Sequence, residues 1–444
     1  MTSPAEPQAS FWRLRLAALL AGAAIGVVGT AFRVGAERGY AGFANLLAAE
    51  RAGVVPPWLA GALAGAGLTA AAVLLTRRFA PEAAGSGIQE IEGTLAGIRP
   101  PLRWRRILPV KFFGGVLAMT SGLVLGREGP TIHLGGCAGE AVAAKLAPRR
   151  EDANLLVGAG AAAGLAVAFG APLGGFLFAL EELRREFRLT VASGHCVLLA
   201  TLTATLVCFA LHGPVRSLPI PVYAQAGIED LCLAVPFSLL AGVCGVLFNA
   251  ALVASQGALR EVARRAGWLA PALVTGGAVG ALVFARPQLT GGGEDLVIRL
   301  LTTPEGLGTL LLVLLGRVLV FNASYAVGTP GGIFAPQLAF GALLGLLYAG
   351  AVDAIVPGLI TEPGRYAVAG MAALLTATVR APLTALALVV EMTGSYPLLL
   401  MTLLSAVVAD LTASAAGGRP IYEALLERTL RLEGRDPVAT DPPR

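Results

Sequence analysis

Strongly apolar segments recur along this chain from Phe11 to Ala416, with no soluble stretch of domain length between them. That recurrence constrains the fold more than any other feature. In hydrocarbon, backbone N–H and C=O groups are satisfied only inside a helix or a closed barrel, and runs of this length and composition read as helices. Of the 444 residues, 56% are hydrophobic and 14% charged, against about 25% charged in an ordinary soluble domain. The expected class is all-α and polytopic, with the lipid bilayer as its solvent. Arg13 and Arg15 precede an apolar run that could mimic a signal peptide. The run continues to Phe32, long enough for a span, and reads as the first membrane helix.

Several function classes lose ground at once. Cys137, Cys196, Cys208, Cys232 and Cys244 lie in apolar segments with no CxxC spacing, so neither a zinc site nor a disulfide framework is expected. His133, His195 and His212 are scattered and suggest no metal cluster. No cofactor motif is present; Gly158-Ala159-Gly160 follows no strand and is not a nucleotide fingerprint. The net charge of +5 sits in loop clusters, which reads as membrane topology and not as a nucleic-acid patch.

Basic clusters at Arg77-Arg78, Arg99 to Arg106, Lys145 to Arg150, Arg184 to Arg188, Arg260 to Arg265 and Arg419 to Arg435 mark the cytoplasmic side. Both termini are then cytoplasmic, in the cell (inner) membrane. Single spans are expected over Val191 to Leu211, Leu231 to Leu252 and Leu269 to Val283. The interval Asn154 to Leu180 does not fit, because basic clusters flank it on both sides. It has 27 residues, whereas a round trip through the bilayer needs about 40. It must enter and return as short pieces, broken at Gly170-Ala171-Pro172. Interrupted helices at membrane depth are tolerated where they are buried or line a watery cavity. They therefore point to a transport site.

The chain also repeats itself. At an offset of 210, Ala171-Pro172-Leu173 falls on Ala381-Pro382-Leu383 and Glu181 on Glu391. At 206, Gly85-Ser86-Gly87 falls on Gly291-Gly292-Gly293, and Gly126 to Pro130 on Gly332 to Pro336. Paired, Gly/Pro-interrupted segments are typical of secondary transporters, though spacing leaves open whether the halves are parallel or inverted. In Gly126-Arg127-Glu128-Gly129-Pro130, glycine and proline open a helix whose first turn suits an anion. Glu128 could be that anion, or be displaced by one from solution. Alternatively Arg127 and Glu128 form a buried pair that only holds the fold. Lys111, Glu90 and Glu92 read as further buried charges compensating one another. Glu181 and Glu391 read as paired structural carboxylates.

The motifs Gly85-Ser86-Gly87-Ile88-Gln89-Glu90, Gly126 to Pro130, Gly331-Gly332-Ile333-Phe334-Ala335-Pro336, Arg380 to Thr384 and Gly418 to Tyr422 closely resemble those of the CLC family of chloride channels and chloride/proton antiporters. In order and at family spacing, they cover the chain from Gly85 to Tyr422. The chain looks most like the short bacterial antiporters without cytoplasmic CBS domains. The resemblance implies two inverted repeats and a homodimer with one pathway per subunit, and chloride and protons as the substrates. The expected layout is a cytoplasmic tail at 1–10 and a first repeat at 11–212. An extracellular connection at 213–230, a second repeat at 231–422 and a cytoplasmic tail at 423–444 follow. The resemblance further implies that Ser86 and Tyr422 donate hydroxyls to a central chloride, and Ile333 and Phe334 their backbone N–H groups. Glu128 matches the gating glutamate that competes with chloride, and Glu182 the inner proton-transfer glutamate. Gln89 stands where proline is common in the family.

Each residue has a plainer reading. Ser86 could be a turn or N-cap serine. Tyr422 could be an interfacial aromatic. Glu182 could be a solvated helix end. The expected function is proton-coupled chloride exchange. A passive, voltage- or pH-gated chloride channel of the same family is the first rival, with the carboxylate at Glu182 favouring the exchanger. A membrane-embedded enzyme is a remote one, since no Ser/His/Asp grouping supports it.

Overall fold

The computed structural model describes residues 5–49, 55–147, 149–183, 190–214 and 216–435, with side chains from residue 12 onward. The basic cluster expected at Arg184 to Arg188 lies outside the described residues. Helices make up the first half as α1 (Ala5–Ala49), α2 (Pro57–Phe79), α3 (Ile88–Leu95), α4 (Trp104–Thr120), α5 (Glu128–Leu146), α6 (Arg150–Phe169), α7 (Pro172–Glu181) and α8 (Val191–His212). The second half repeats the series as α9 (Ile228–Ala266), α10 (Ala270–Ala285), α11 (Glu294–Thr302), α12 (Leu307–Ala326), α13 (Phe334–Ile355), α14 (Pro363–Val379), α15 (Pro382–Thr393) and α16 (Leu399–Ala415). A last helix, α17 (Ile421–Leu432), follows. Among the described residues, eight helices are long and apolar enough to cross a bilayer, and shorter apolar ones accompany them. The protein is a multi-pass, all-α membrane protein.

The offsets seen in the sequence hold for whole helices. The starts of α3 and α5 recur at α11 and α13 after 206 residues, and the end of α6 and start of α7 at α14 and α15 after 210. The halves are inverted, and two reciprocal contacts join them. Gly126 N–H donates to the Gly332 carbonyl at 2.9 Å, and Gly332 N–H to the Gly126 carbonyl at 2.7 Å. That antiparallel pair sits where α5 and α13 begin head to head. Farther out, Glu391 caps α7 through the N–H groups of Leu173 and Gly174, at 3.2 and 2.7 Å. Glu181 caps α15 through Leu383 and Thr384, at 3.0 and 2.6 Å. Each carboxylate meets the free donors of the other half's helix start, so both are structural.

The break expected near Gly170 is present. Gly170 ends α6 in the left-handed region at φ 67°, and Pro172 starts α7. In the second half Arg380 adopts the same conformation at φ 74°, without glycine's freedom. Its side chain compensates by donating to Asp410 O, Asp410 Oδ1, Ser414 Oγ and Gly418 O, at 2.6 to 3.0 Å. Between the breaks, small residues let helices touch. A Cβ on Gly135 or Gly139 of α5 would strike the backbone of α6, and one on Gly341 or Gly345 of α13 the backbone of α14. With lipid as apolar as the side chains, close packing of this kind holds membrane helices together.

Two helices outrun their expected spans. Expected to end near Phe32, α1 reaches Ala49, continued by an i,i+4 pair of Arg33 with Glu37 at 3.1 Å. Likewise α9 passes Leu252 and ends at Ala266, where Glu261 pairs with Arg264 and Arg265. A hydropathy run marks the apolar stretch of a helix, while ion pairs carry the helix past the apolar boundary.

Candidate functional site

Glycine and proline decide where the polar loops meet. Gly85 and Gly87 take φ of 61° and 87°, turning the chain into α3 at Ile88. These two left-handed turns set the start of α3 without the proline that Gln89 replaces. On the other side, Gly126 and Gly332 join the starts of α5 and α13. A Cβ on Gly129 would come within 2.9 Å of Gly332 Cα and of Ser86 Cα, so all three loops converge. A parallel bridge between Gly85 and Pro330 completes the join.

The Glu128 carboxylate lies in this convergence, fully buried. Its Oε1 accepts the Phe334 N–H at 2.6 Å, at the first turn of α13, while Oε2 has no hydrogen-bond partner among the described residues. A Cβ on either Gly126 or Gly332 would occupy the space of that carboxylate. A carboxylate thus sits on a helix N-terminus, where exposed N–H groups and the helix dipole favour negative charge. Arg127 does not pair with it. The guanidinium is held by Glu37, by Glu294 at 2.9 Å and by the Ala168 carbonyl at 3.1 Å. The buried Arg127–Glu128 pair that the sequence allowed is therefore not formed.

Two hydroxyls lie at the same convergence. Ser86 Oγ and Tyr422 Oη are both 0% exposed, and neither has a hydrogen-bond partner among the described residues. Buried hydroxyls are normally paired, and two without a protein acceptor at this convergence are donors available to an anion. The Tyr422 ring lies against Phe334, with centroids 6.1 Å apart. Ile333 and Phe334 are buried, with the N–H of Phe334 committed to Glu128. Glu182 lies at the end of α7, half-buried. Ser86, Glu128, Ile333, Phe334 and Tyr422 thus come together from four loops, and Glu182 is not among them.

Lys111 needs a correction. It was expected to be compensated by carboxylates, but its ammonium donates to the Ala83 and Gly85 carbonyls at 3.0 and 2.8 Å. Glu90 pairs instead with Arg99 at 2.7 Å. Carbonyls of the Gly-Ser-Gly turn are the nearer acceptors, and using them locks the turn that presents Ser86. Its counterpart 206 residues on is Arg317, which holds the carbonyls of Gln288, Thr290 and Gly291 at 2.8 to 3.0 Å. The repeat offset could have revealed Arg317. Tyr325 carried no such signal. Its hydroxyl accepts the Ser86 N–H at 3.3 Å, adding a third phenol or hydroxyl beside the motif.

Two cavities reach the convergence from opposite ends. One, of about 630 Å³, is lined by Arg33, Glu37, Arg127, Glu294, Asp295 and Arg299 among others, three charges of each sign. The other, of about 550 Å³, ends at Gly85 and Tyr325 and carries Arg77, Arg260, Arg264 and Arg428, with no acidic residue in its lining.

A family described as "Voltage gated chloride channel" matches residues 66–414. The chain is 41% identical over 417 residues to a protein named H(+)/Cl(-) exchange transporter ClcA from Vibrio parahaemolyticus, covering 93% of this chain and 89% of the relative. Its identity to the Vibrio cholerae protein of the same name is 42% over 416 residues, with the same coverage. Among solved structures it resembles a slow cyanobacterial Cl−/H+ antiporter, with a TM-score of 0.89, 36% identity, and coverage of 95% of this chain and 99% of that one. A eukaryotic CLC transporter gives a TM-score of 0.78 at 25% identity, covering 94% and 74%. With the family model matching residues 66–414 and these relatives covering at least 93% of the chain, the chain belongs to the CLC family of voltage gated chloride channels and transporters.

Proposed function

We propose that this protein is a secondary active transporter exchanging chloride for protons. One observation carries the reading. The Glu128 carboxylate sits on the N-terminus of α13, in the same convergence as two buried hydroxyls with no hydrogen-bond partner among the described residues. A chloride ion needs polarised donors but must also leave, and hydroxyls, backbone N–H groups and helix ends supply a moderate field without a lysine clamp. In this mechanism chloride is held by Ser86 Oγ, Tyr422 Oη and the N–H groups of Ile333 and Phe334. Glu128 occupies the neighbouring position while charged. It gives that position up to chloride when it takes a proton, and so the two ions are coupled. Glu182 delivers or removes the proton on the other side. Relatives named as H(+)/Cl(-) exchange transporters support this substrate pair.

The positive-inside rule supports a cytoplasmic position for the basic cavity, α17 and both termini, in the cell membrane. Family membership supports a homodimer with one pathway in each subunit. Purified protein in liposomes tests the reading. A chloride gradient is expected to drive protons uphill in wild type, and Glu182→Gln to abolish proton movement while chloride still flows. Wild-type liposomes that lose chloride with no proton coupling would make the protein a channel.

A further inference from the structure

The basic cavity has four arginines and no acidic residue in its lining. Its 550 Å³ falls within the range of about 300–1,000 Å³ typical of pockets for small organic ligands. Four arginines converge on it, Arg77 from α2, Arg260 and Arg264 from α9, and Arg428 from α17. Arg264 is answered by Glu261 at 2.7 Å. Among the described residues, the other three have no carboxylate partner. Arg77 lies over the Trp268 ring at 5.3 Å, and Arg428 donates to Gln256 Oε1 at 2.7 Å. Burial, and then the charge of Arg260, hold Arg428 below the usual arginine range.

Like charges facing one cavity repel each other, and a single monovalent sphere cannot bridge them. A polyvalent anion can. Guanidinium forks match phosphoryl oxygens in bidentate geometry, and Arg is the residue suited to that task. We propose that this cavity binds a phosphate-bearing anion between Arg260 and Arg428, with Arg77 at its rim, and that the bound anion blocks chloride from reaching Ser86. The block follows from position, since the cavity ends at Gly85 and at Tyr325, whose hydroxyl touches the Ser86 N–H. This regulation rests on the transport reading, whereas the binding itself does not. The phosphate could belong to a soluble polyphosphate or to a phospholipid headgroup.

The test uses inorganic pyrophosphate, with ionic strength matched by gluconate. In phosphatidylcholine liposomes, pyrophosphate on both faces is expected to slow wild-type chloride flux at least fivefold, and added chloride to restore it. Arg428→Gln and Arg260→Gln should each raise the inhibiting concentration at least tenfold, Arg260→Lys less. Arg260 is exposed, so its variants remain informative if Arg428→Gln misfolds. If pyrophosphate has no effect but phosphatidylglycerol slows wild type more than the Gln variants, the occupant is a lipid headgroup and the site stands. If neither slows flux, or if the Gln variants respond as wild type does, the proposal is overturned. Calorimetric titration of pyrophosphate into detergent-solubilised protein separates the two claims. Binding without any chloride flux in wild type would refute the transport reading and leave the site. Intact flux with no pyrophosphate binding and no slowing by phosphatidylglycerol would do the reverse.

Discussion

Glu128 shows how a residue's neighbours decide its role. Its adjacent residue Arg127 is spoken for by Glu37 and Glu294, so the carboxylate turns to the Phe334 N–H 206 positions away. Neutral Glu128→Gln keeps the shape and loses the titrating group. Proton movement should fall to background, while chloride flux persists and loses its dependence on pH; proton-coupled flux surviving in this variant would remove Glu128 from the mechanism. The two orphan hydroxyls should each matter modestly. Ser86→Ala or Tyr422→Phe is expected to weaken chloride binding by about 1 kcal/mol, roughly fivefold, as for the loss of one hydrogen bond. Calorimetric chloride titration measures this, and unchanged affinity in both variants would exclude them as ligands. Sequence motifs singled out all of these residues. They did not reveal Tyr325, because a tyrosine in an apolar helix reads as core until its hydroxyl is seen against the Ser86 N–H.

Among elements, the short broken helices depend on borrowed partners. Each of α7 and α15 starts against a carboxylate from the end of the other. Glu181→Ala and Glu391→Ala should therefore destabilise by similar amounts, about 1 kcal/mol each as for a lost N-cap. Thermal unfolding in detergent would register this, and retained proton coupling in Glu181→Ala would distinguish it from its neighbour Glu182. The glycine contacts are less forgiving. Gly139→Leu or Gly345→Leu forces α5 from α6 or α13 from α14, and overpacking typically costs about 1–3 kcal/mol. Either variant is expected to lower the yield of folded protein markedly; normal yield and stability would show that these helices have slack. Both sets of devices were partly legible beforehand. The matching of Glu181 with Glu391 marked them as a structural pair, but which helix each would cap depended on how the halves face.

At the scale of the whole molecule, the inverted repeat brings α5 and α13 head to head and leaves a charge-balanced cavity on one side and a basic one on the other. If the protein is a dimer, light scattering in mild detergent should give a protein mass of twice 45.1 kDa; a single-chain mass with intact transport would remove the dimer from the account. The sequence by itself determined the membrane class, the helical content, the break at Gly170 and the duplication. All of these are written in local composition, in the residues that start and stop helices, and in spacing along the chain. Tertiary structure alone decided that the repeats are inverted, that Arg127 turns away from Glu128, and that Lys111 serves carbonyls. Those outcomes depend on which groups meet across separations of 26 to 206 residues of chain. In a bilayer, buried polar groups must find partners within the protein, and only the packed fold determines which are within reach.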